Sequence, residues 1–417
     1  MPNSSTVEPA LLNDATVTGP VRESERIASM DVLRGFALLG IMLINIPSMA
    51  MITAARFYPY PYADTSRLDV WIWYATNIFI DGRFMAIFSL LFGAGTFLFT
   101  SHLEMKGSSS GYAYSRRLLF LLVVGLLHAY LVWDGDVLVS YALCGATIFW
   151  FRKCSAKWLV IWSAVFFMIG AVFAAETFGI QSYIINLMPR QFSAAAEIAA
   201  LRGGFFDQLP VRVSHSIYVQ TVGFIASSYW RITTAMLIGM AFAKAKLFSQ
   251  SARTTVVARI FLFTGFGIGI AIASAGLAFR FMLAYTPQEG MLASQIGNYL
   301  SSVPVALGWV GLVLLLISSS IGHKISEKVA PIGRMAFTNY LLESLIGTAI
   351  FYGTGLGMFG KVHRGVLVLI VVGIWYVQLV LSDWWMEHFQ FGPLEWIWRG
   401  FVYRKLSPIR RRRIVAG

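Results

Sequence analysis

The sequence predicts an all-α, polytopic membrane protein of about ten transmembrane helices, and three observations carry that reading. Hydrophobic residues fill 57% of the 417 positions and charged residues only 13%, whereas soluble domains carry about 25% charged residues. Mean hydropathy is +0.67. Apolar runs of about 17–25 residues, the length that crosses a bilayer as a helix, recur along the chain. A net charge of +13 would suggest nucleic acid in a soluble protein. Here it is read as loops facing an anionic leaflet, and no nucleic-acid partner is expected.

Residues 1–25 are polar, lack a hydrophobic signal core and are read as a disordered cytoplasmic tail. The membrane domain, 26–398, holds predicted spans at 31–53, 84–101, 117–133, 137–151, 158–175, 216–242, 260–284, 297–320, 335–352 and 365–386. The Trp- and Tyr-rich segment 68–80 is placed along the interface before the second span. An outer loop, 176–214, separates the two halves and has room for short surface helices. Residues 399–417 form a basic cytoplasmic tail, whose run Arg410 to Arg413 is read as solvated or lipid-binding. Lys and Arg concentrate on one set of alternate loops. The positive-inside bias therefore puts both termini in the cytoplasm of a bacterial cytoplasmic membrane. Cys144 and Cys154 have no disulfide or metal-ligand spacing, and no metal is expected. Membrane lipids are the expected surroundings. Oligomeric state is left open, a homodimer included.

Polar groups inside a span cost at least ~2.5 kcal/mol for a central charge, so each is a functional candidate. In MDVLRGFALLGIMLIN, the residues Asp31, Arg34, Leu38, Ile41 and Asn45 step along one helix face at three- and four-residue intervals. Asp31 favours the helix dipole and Arg34 obeys the positive-inside rule, but neither explains Asn45 on the same stripe. Asn45 falls about 21 Å along the helix from Asp31. His128 sits at a similar depth in the third span, one turn before WDGD, and reads either as a packing residue or as a general base. Trp133 and Asp136 follow it; Asp136 is placed at the site and Asp134 is read as turn chemistry. Arg231 and Glu343, with Asn339 one turn before the glutamate, read either as a buried ion pair between two helices or as an anion-binding cavity. Asp81 and Arg83 read as a helix start or as part of the site. Gly93 and Gly95 are expected to permit close helix packing. Walker-type loops, GxSxG, HExxH and heme-binding cysteine motifs are absent, which argues against ATP-driven transport, serine hydrolysis and zinc proteolysis.

Five stretches in order then resemble one family: DVLRGFALLGIMLIN, DGRFMAIFSLLFGAG, RRLLFLLVVGLLHAYLVWDGDVLVSYAL, PIGRMAFTNYLLESLI and FGPLEWIWR. They look like those of the YeiB-like membrane proteins, the family called domain of unknown function 418, and the resemblance covers nearly the whole membrane region. That family is in turn distantly similar to transmembrane acyltransferases, including heparan-α-glucosaminide N-acetyltransferase and the acyltransferase-three proteins. The resemblance implies a transmembrane-acyltransferase-like bundle. In acyltransferase-three proteins a first-helix arginine precedes an essential histidine by eleven residues. Arg34 matches that arginine, while Asn45 occupies the histidine position, as in the heparan branch. That branch draws its catalytic histidine from a luminal loop shortly afterward, and this chain has no histidine between Asn45 and His102. His128 is therefore assigned the role. The same eleven-residue spacing between Arg117 and His128 is read as coincidence.

The resulting expectation is an acyltransferase that moves an acyl group from cytoplasmic acyl-CoA or acetyl-CoA to an outer glycan, lipid or small-molecule acceptor. Asp31 and Arg34 would receive the donor, His128 would deprotonate the acceptor, Asp136 would orient it, and Asn45 would donate to the oxyanion. Arg231, Glu343, Asn339, Trp133, Asp81 and Arg83 are the substrate-binding candidates. The alternative is a transporter or lipid translocator for an anionic substrate, using Arg231, Glu343 and His128 to bind it or to move protons.

Overall fold

A computed structural model describes residues 27–187, 194–249, 251–283 and 287–411. The proposed N-terminal tail, Arg412 and Arg413 lie outside them. Every predicted span but 216–242 coincides in the main with a single helix, and the described residues contain no β-strand. The first half runs α1 (Ala28–Ala50), α2 (Ala54–Phe57), α3 (Arg67–Phe79), α4 (Arg83–Met105), α5 (Ser110–Leu131), α6 (Leu138–Phe149) and α7 (Ala156–Leu187). Two short helices follow, α8 (Ala194–Arg202) and α9 (Phe205–Gln220), then α10 (Tyr229–Lys244), α11 (Ala252–Ala278) and α12 (Pro287–Ile317). The chain closes with α13 (Ser320–Arg334), α14 (Ala336–Phe351), α15 (Arg364–His388) and α16 (Pro393–Tyr403).

Among the described residues, seven helical stretches are long and apolar enough to cross a membrane. The α6, α10 and α14 spans are shorter, at 12, 16 and 16 residues, so about ten is an upper description of the bundle. The predicted span 216–242 is broken: α9 ends at Gln220, a π-helical turn covers Phe224–Ser228, and α10 starts at Tyr229. A π turn adds a residue to one helical turn and shifts the faces beyond it. The predicted outer loop is largely helical, because α7 continues past 175 and α8 and α9 fill its second part.

Lipid offers no hydrophobic drive between helices, so close packing and polar contacts hold such bundles together. Glycines allow a close crossing between α4 and α10. A Cβ on Gly93 would strike the Met236 carbonyl, and one on Gly239 would strike the Leu90 carbonyl. The two backbones therefore touch from both sides. α1 lies inside the bundle, packed on α4, α13, α14 and α15, with 56% of its most apolar stretch buried against 22% for α7 and for α11. A helix in that position faces protein rather than lipid, which is why it can carry a polar stripe.

Candidate functional site

The α1 stripe faces a cavity of about 980 Å³. Its wall takes Asp31, Arg34, Leu38 and Ile41 from α1, four of the five residues of the predicted stripe. Arg34 Nη1 donates to Asp31 Oδ1 at 3.0 Å, an i,i+3 pair that orients the guanidinium along the wall. Asn45, one turn further, is not among the lining residues and is only half-buried. On α1 the cavity lining stops at Ile41, one turn before the asparagine.

Six basic side chains line the cavity, Arg34, Arg117, Lys244, Lys246, Arg334 and Arg399, against the carboxylates Asp31 and Glu395. Arg117 is the one that sequence reasoning set aside. Its guanidinium lies over the rings of Phe92, Phe99 and Trp398, 5.0–5.4 Å from their centroids, and pairs with no carboxylate among the described residues. Such cation–π contacts hold the charge in place without neutralising it. Gly95, expected to serve packing, instead opens this space: Arg34 Nη2 and Arg117 Nη2 lie 3.5 and 3.9 Å from where its Cβ would be. Glu395 is otherwise engaged. It accepts from the Phe337 and Thr338 amides at 2.8 and 3.1 Å and from the Thr338 hydroxyl at 2.5 Å, capping α14 from α16.

The inner end of the cavity is closed by Val137, Leu138, Tyr141 and Tyr340. Directly behind Tyr340 stands His128, with ring centroids 5.4 Å apart. His128 Nδ1 lies 2.9 Å from Asp136 Oδ1, and their side chains are 2% and 0% exposed. The second carboxylate oxygen of Asp136 accepts from the Val139 amide at 2.9 Å. Gly125, three residues before His128 on α5, allows this approach, since a Cβ there would crowd Asp136 Oδ2 and the Val139 amide. A carboxylate acceptor at Nδ1 keeps the proton there and leaves Nε2 as the basic nitrogen. Nε2 is buried and without a partner among the described residues. Trp133 packs edge-on to the imidazole at 6.3 Å. The Tyr340 hydroxyl accepts from the Val137 amide at 3.2 Å. On α5, Arg117 and Leu121 line the cavity, and His128 lies further along the same helix.

Other candidates lie elsewhere. Arg231 does not pair with Glu343, correcting the ion-pair reading: its Nη1 donates to Asn298 Oδ1 at 3.2 Å and its Nη2 to Ser227 at 3.3 Å. Asn298 in turn donates to Asp81 Oδ2 at 3.2 Å. Arg83, fully buried, donates to Ser301 at 2.6 Å and to the Asp81 carbonyl. These three charged residues form a cluster outside the cavity, where the turn between α3 and α4 meets α10 and α12. Glu343 accepts from Gln378 at 2.9 Å, and Asn339 donates to Ser382 at 3.0 Å, both across to α15. Asp134, read as turn chemistry, pairs with His215 at 2.9 Å.

Comparison with known proteins places the chain. The profile of the family described as Protein of unknown function (DUF418) matches residues 242–405. Protein YxaH of Bacillus subtilis is 30% identical over 413 residues, covering 94% of this chain and 98% of its own. The chain belongs to the DUF418 family. Protein YeiB of Escherichia coli is 29% identical over 408 residues, covering 92% of this chain and 98% of its own. A 39.9 kDa protein from the amylase 3′ region of Bacillus acidopullulyticus is 25% identical over 406 residues, covering 94% and 97%. All three relatives carry the description uncharacterized. This DUF418 member is thus a polytopic membrane protein.

Proposed function

We propose that this DUF418 protein is a transmembrane acyltransferase that takes an acyl group from acyl-CoA in the basic cavity and passes it to an acceptor at the opposite face. One observation carries the reading: Tyr340 both closes the cavity and packs against the His128–Asp136 pair. A ligand with an anionic head and a long apolar or thioester-bearing arm suits a space with basic walls and an aromatic inner end. Arg34 and Arg117 would hold phosphate groups over Gly95. The positive-inside rule puts this mouth on the cytoplasmic side, where acyl-CoA is made available.

In this mechanism His128 Nε2 takes the proton of an acceptor hydroxyl or amine as its oxygen or nitrogen attacks the thioester carbonyl. The C–S bond then breaks, and the CoA thiolate leaves with the proton that His128 returns. Asp136 stabilises the imidazolium between these steps, as in other Asp–His pairs. The Tyr340 hydroxyl accepts from Val137 and keeps its own hydrogen to donate toward the oxyanion, the part first given to Asn45. Rotation of the Tyr340 ring is the movement that joins cavity and base.

The test is a vesicle assay with labelled acetyl-CoA supplied to the Arg34 side and a panel of glycan, lipid and small-molecule acceptors. Transfer that is lost in His128→Gln and weakened in Arg34→Met supports the mechanism; transfer indifferent to both overturns the residue assignment. The same basic lining also suits translocation of an anionic substrate, whose signature is flux without an acyl donor.

A further inference from the structure

Glu343 on α14 is 1% exposed, and Gln378, facing it from α15, is 0% exposed. Gln378 Nε2 donates to one carboxyl oxygen at 2.9 Å. Two atoms are then left over, Glu343 Oε2 and Gln378 Oε1, both buried and both without a partner among the described residues. Both are acceptors on neighbouring groups. An ionised Glu343 would strand them together and would add an unpaired charge inside the membrane bundle.

One proton resolves both. A carboxylic acid donates its O–H to the amide oxygen while the amide N–H donates to the other carboxyl oxygen, a closed pair with no orphan. Among the described residues no cation pairs with Glu343 to hold the ionised form instead. Arg231 is engaged with Asn298 and Ser227, and Arg34 pairs with Asp31 at the start of α1. On α14 the nearest titratable group is the phenol of Tyr340, three residues back, and on α15 Ser382 is taken by Asn339.

We propose that Glu343 is a proton-binding site inside the bundle, holding its proton as a neutral acid in a two-bond pair with Gln378. Release of that proton sets a carboxylate against the amide oxygen and forces the α14–α15 seam to rearrange. Because α14 also carries Tyr340, occupancy of this site is coupled to the helix that closes the cavity. The inference stands whether or not the cavity takes acyl-CoA.

Infrared difference spectra of the full-length protein in lipid, wild type minus Glu343→Gln at about pH 7, test it directly. The variant keeps a neutral side chain of the same shape, so the fold is retained. The expected difference is a carboxylic-acid C=O band, moved to higher wavenumber in Gln378→Leu, where the carboxyl loses its partner. A carboxylate stretch in place of the acid band overturns the proposal, as does an acid band unmoved by Gln378→Leu in a protein that remains folded.

Discussion

Arginines at two places in this molecule do opposite things. Away from the cavity, Arg364 and Arg212 donate to neutral acceptors of the protein itself. Arg364 gives hydrogen bonds to the carbonyls of Pro59, Ala55 and Tyr58 at 2.8–3.0 Å, and Arg212 reaches the Leu131 carbonyl at 2.8 Å, where α5 ends. These guanidiniums tie loops to helix ends that would otherwise leave carbonyls unsatisfied. Around the cavity, Arg34 and Arg117 converge on the space over Gly95 with a single carboxylate, Asp31, paired between them. Identical side chains serve as staples in one region and as a waiting counter-charge in the other. What separates them is whether backbone carbonyls lie within reach.

The largest effect expected is on activity. His128→Gln, which keeps a polar partner for Asp136, should cut acyl transfer by ~10²–10⁴-fold, the usual worth of a general base, with an unchanged melting curve. Next comes Arg364→Met. It strands three carbonyls at ~1–3 kcal/mol each, so the melting temperature in detergent should fall steeply, whereas Arg117→Met should leave melting nearly unchanged and weaken donor binding in a salt-dependent way. Equal melting losses in the two variants would erase the distinction between staple and counter-charge. Glycines give a finer version of the same contrast. Gly93→Ala must push α4 off α10 and should cost about 1–3 kcal/mol, while Gly95→Ala meets only guanidinium ends and should spare stability.

The smallest effect concerns His215, on α9 and outside the seven spanning stretches. Its hydrogen bond and charge pairing with Asp134 raise the imidazole above its ordinary range. A raised folded-state value contributes stability that is fully present below the unfolded pKa and is lost as pH rises through the folded one. Thermal melts taken from about pH 6 to 9 should therefore drift downward for wild type. Asp134→Asn should flatten that drift, and a slope surviving in the variant would assign it to another group.

The sequence displayed the spans, because each must supply apolar length against a fixed bilayer thickness. It also displayed the cavity wall on α1, since a three- and four-residue stripe identifies one face of a helix wherever that helix is packed. His128 and Asp136 were legible as neighbours because a short turn joins α5 to α6. Partner choice was not legible. The cost of burying a charge demands some partner for Arg231 and for Glu343 but does not name it, so pairing the two was as consistent with that cost as what is observed. Rotation of each helix about its axis decided the matter, turning Arg231 toward Asn298 and Glu343 toward Gln378. Those rotations follow from contacts such as Gly93 on Met236 and from the π turn before α10, which no single-helix pattern contains. The same geometry left Asn45 outside the cavity and brought Arg117 into it. Periodicity along one helix is local and readable; convergence of several helices on one space is a property of their packing, and only the tertiary structure decides it.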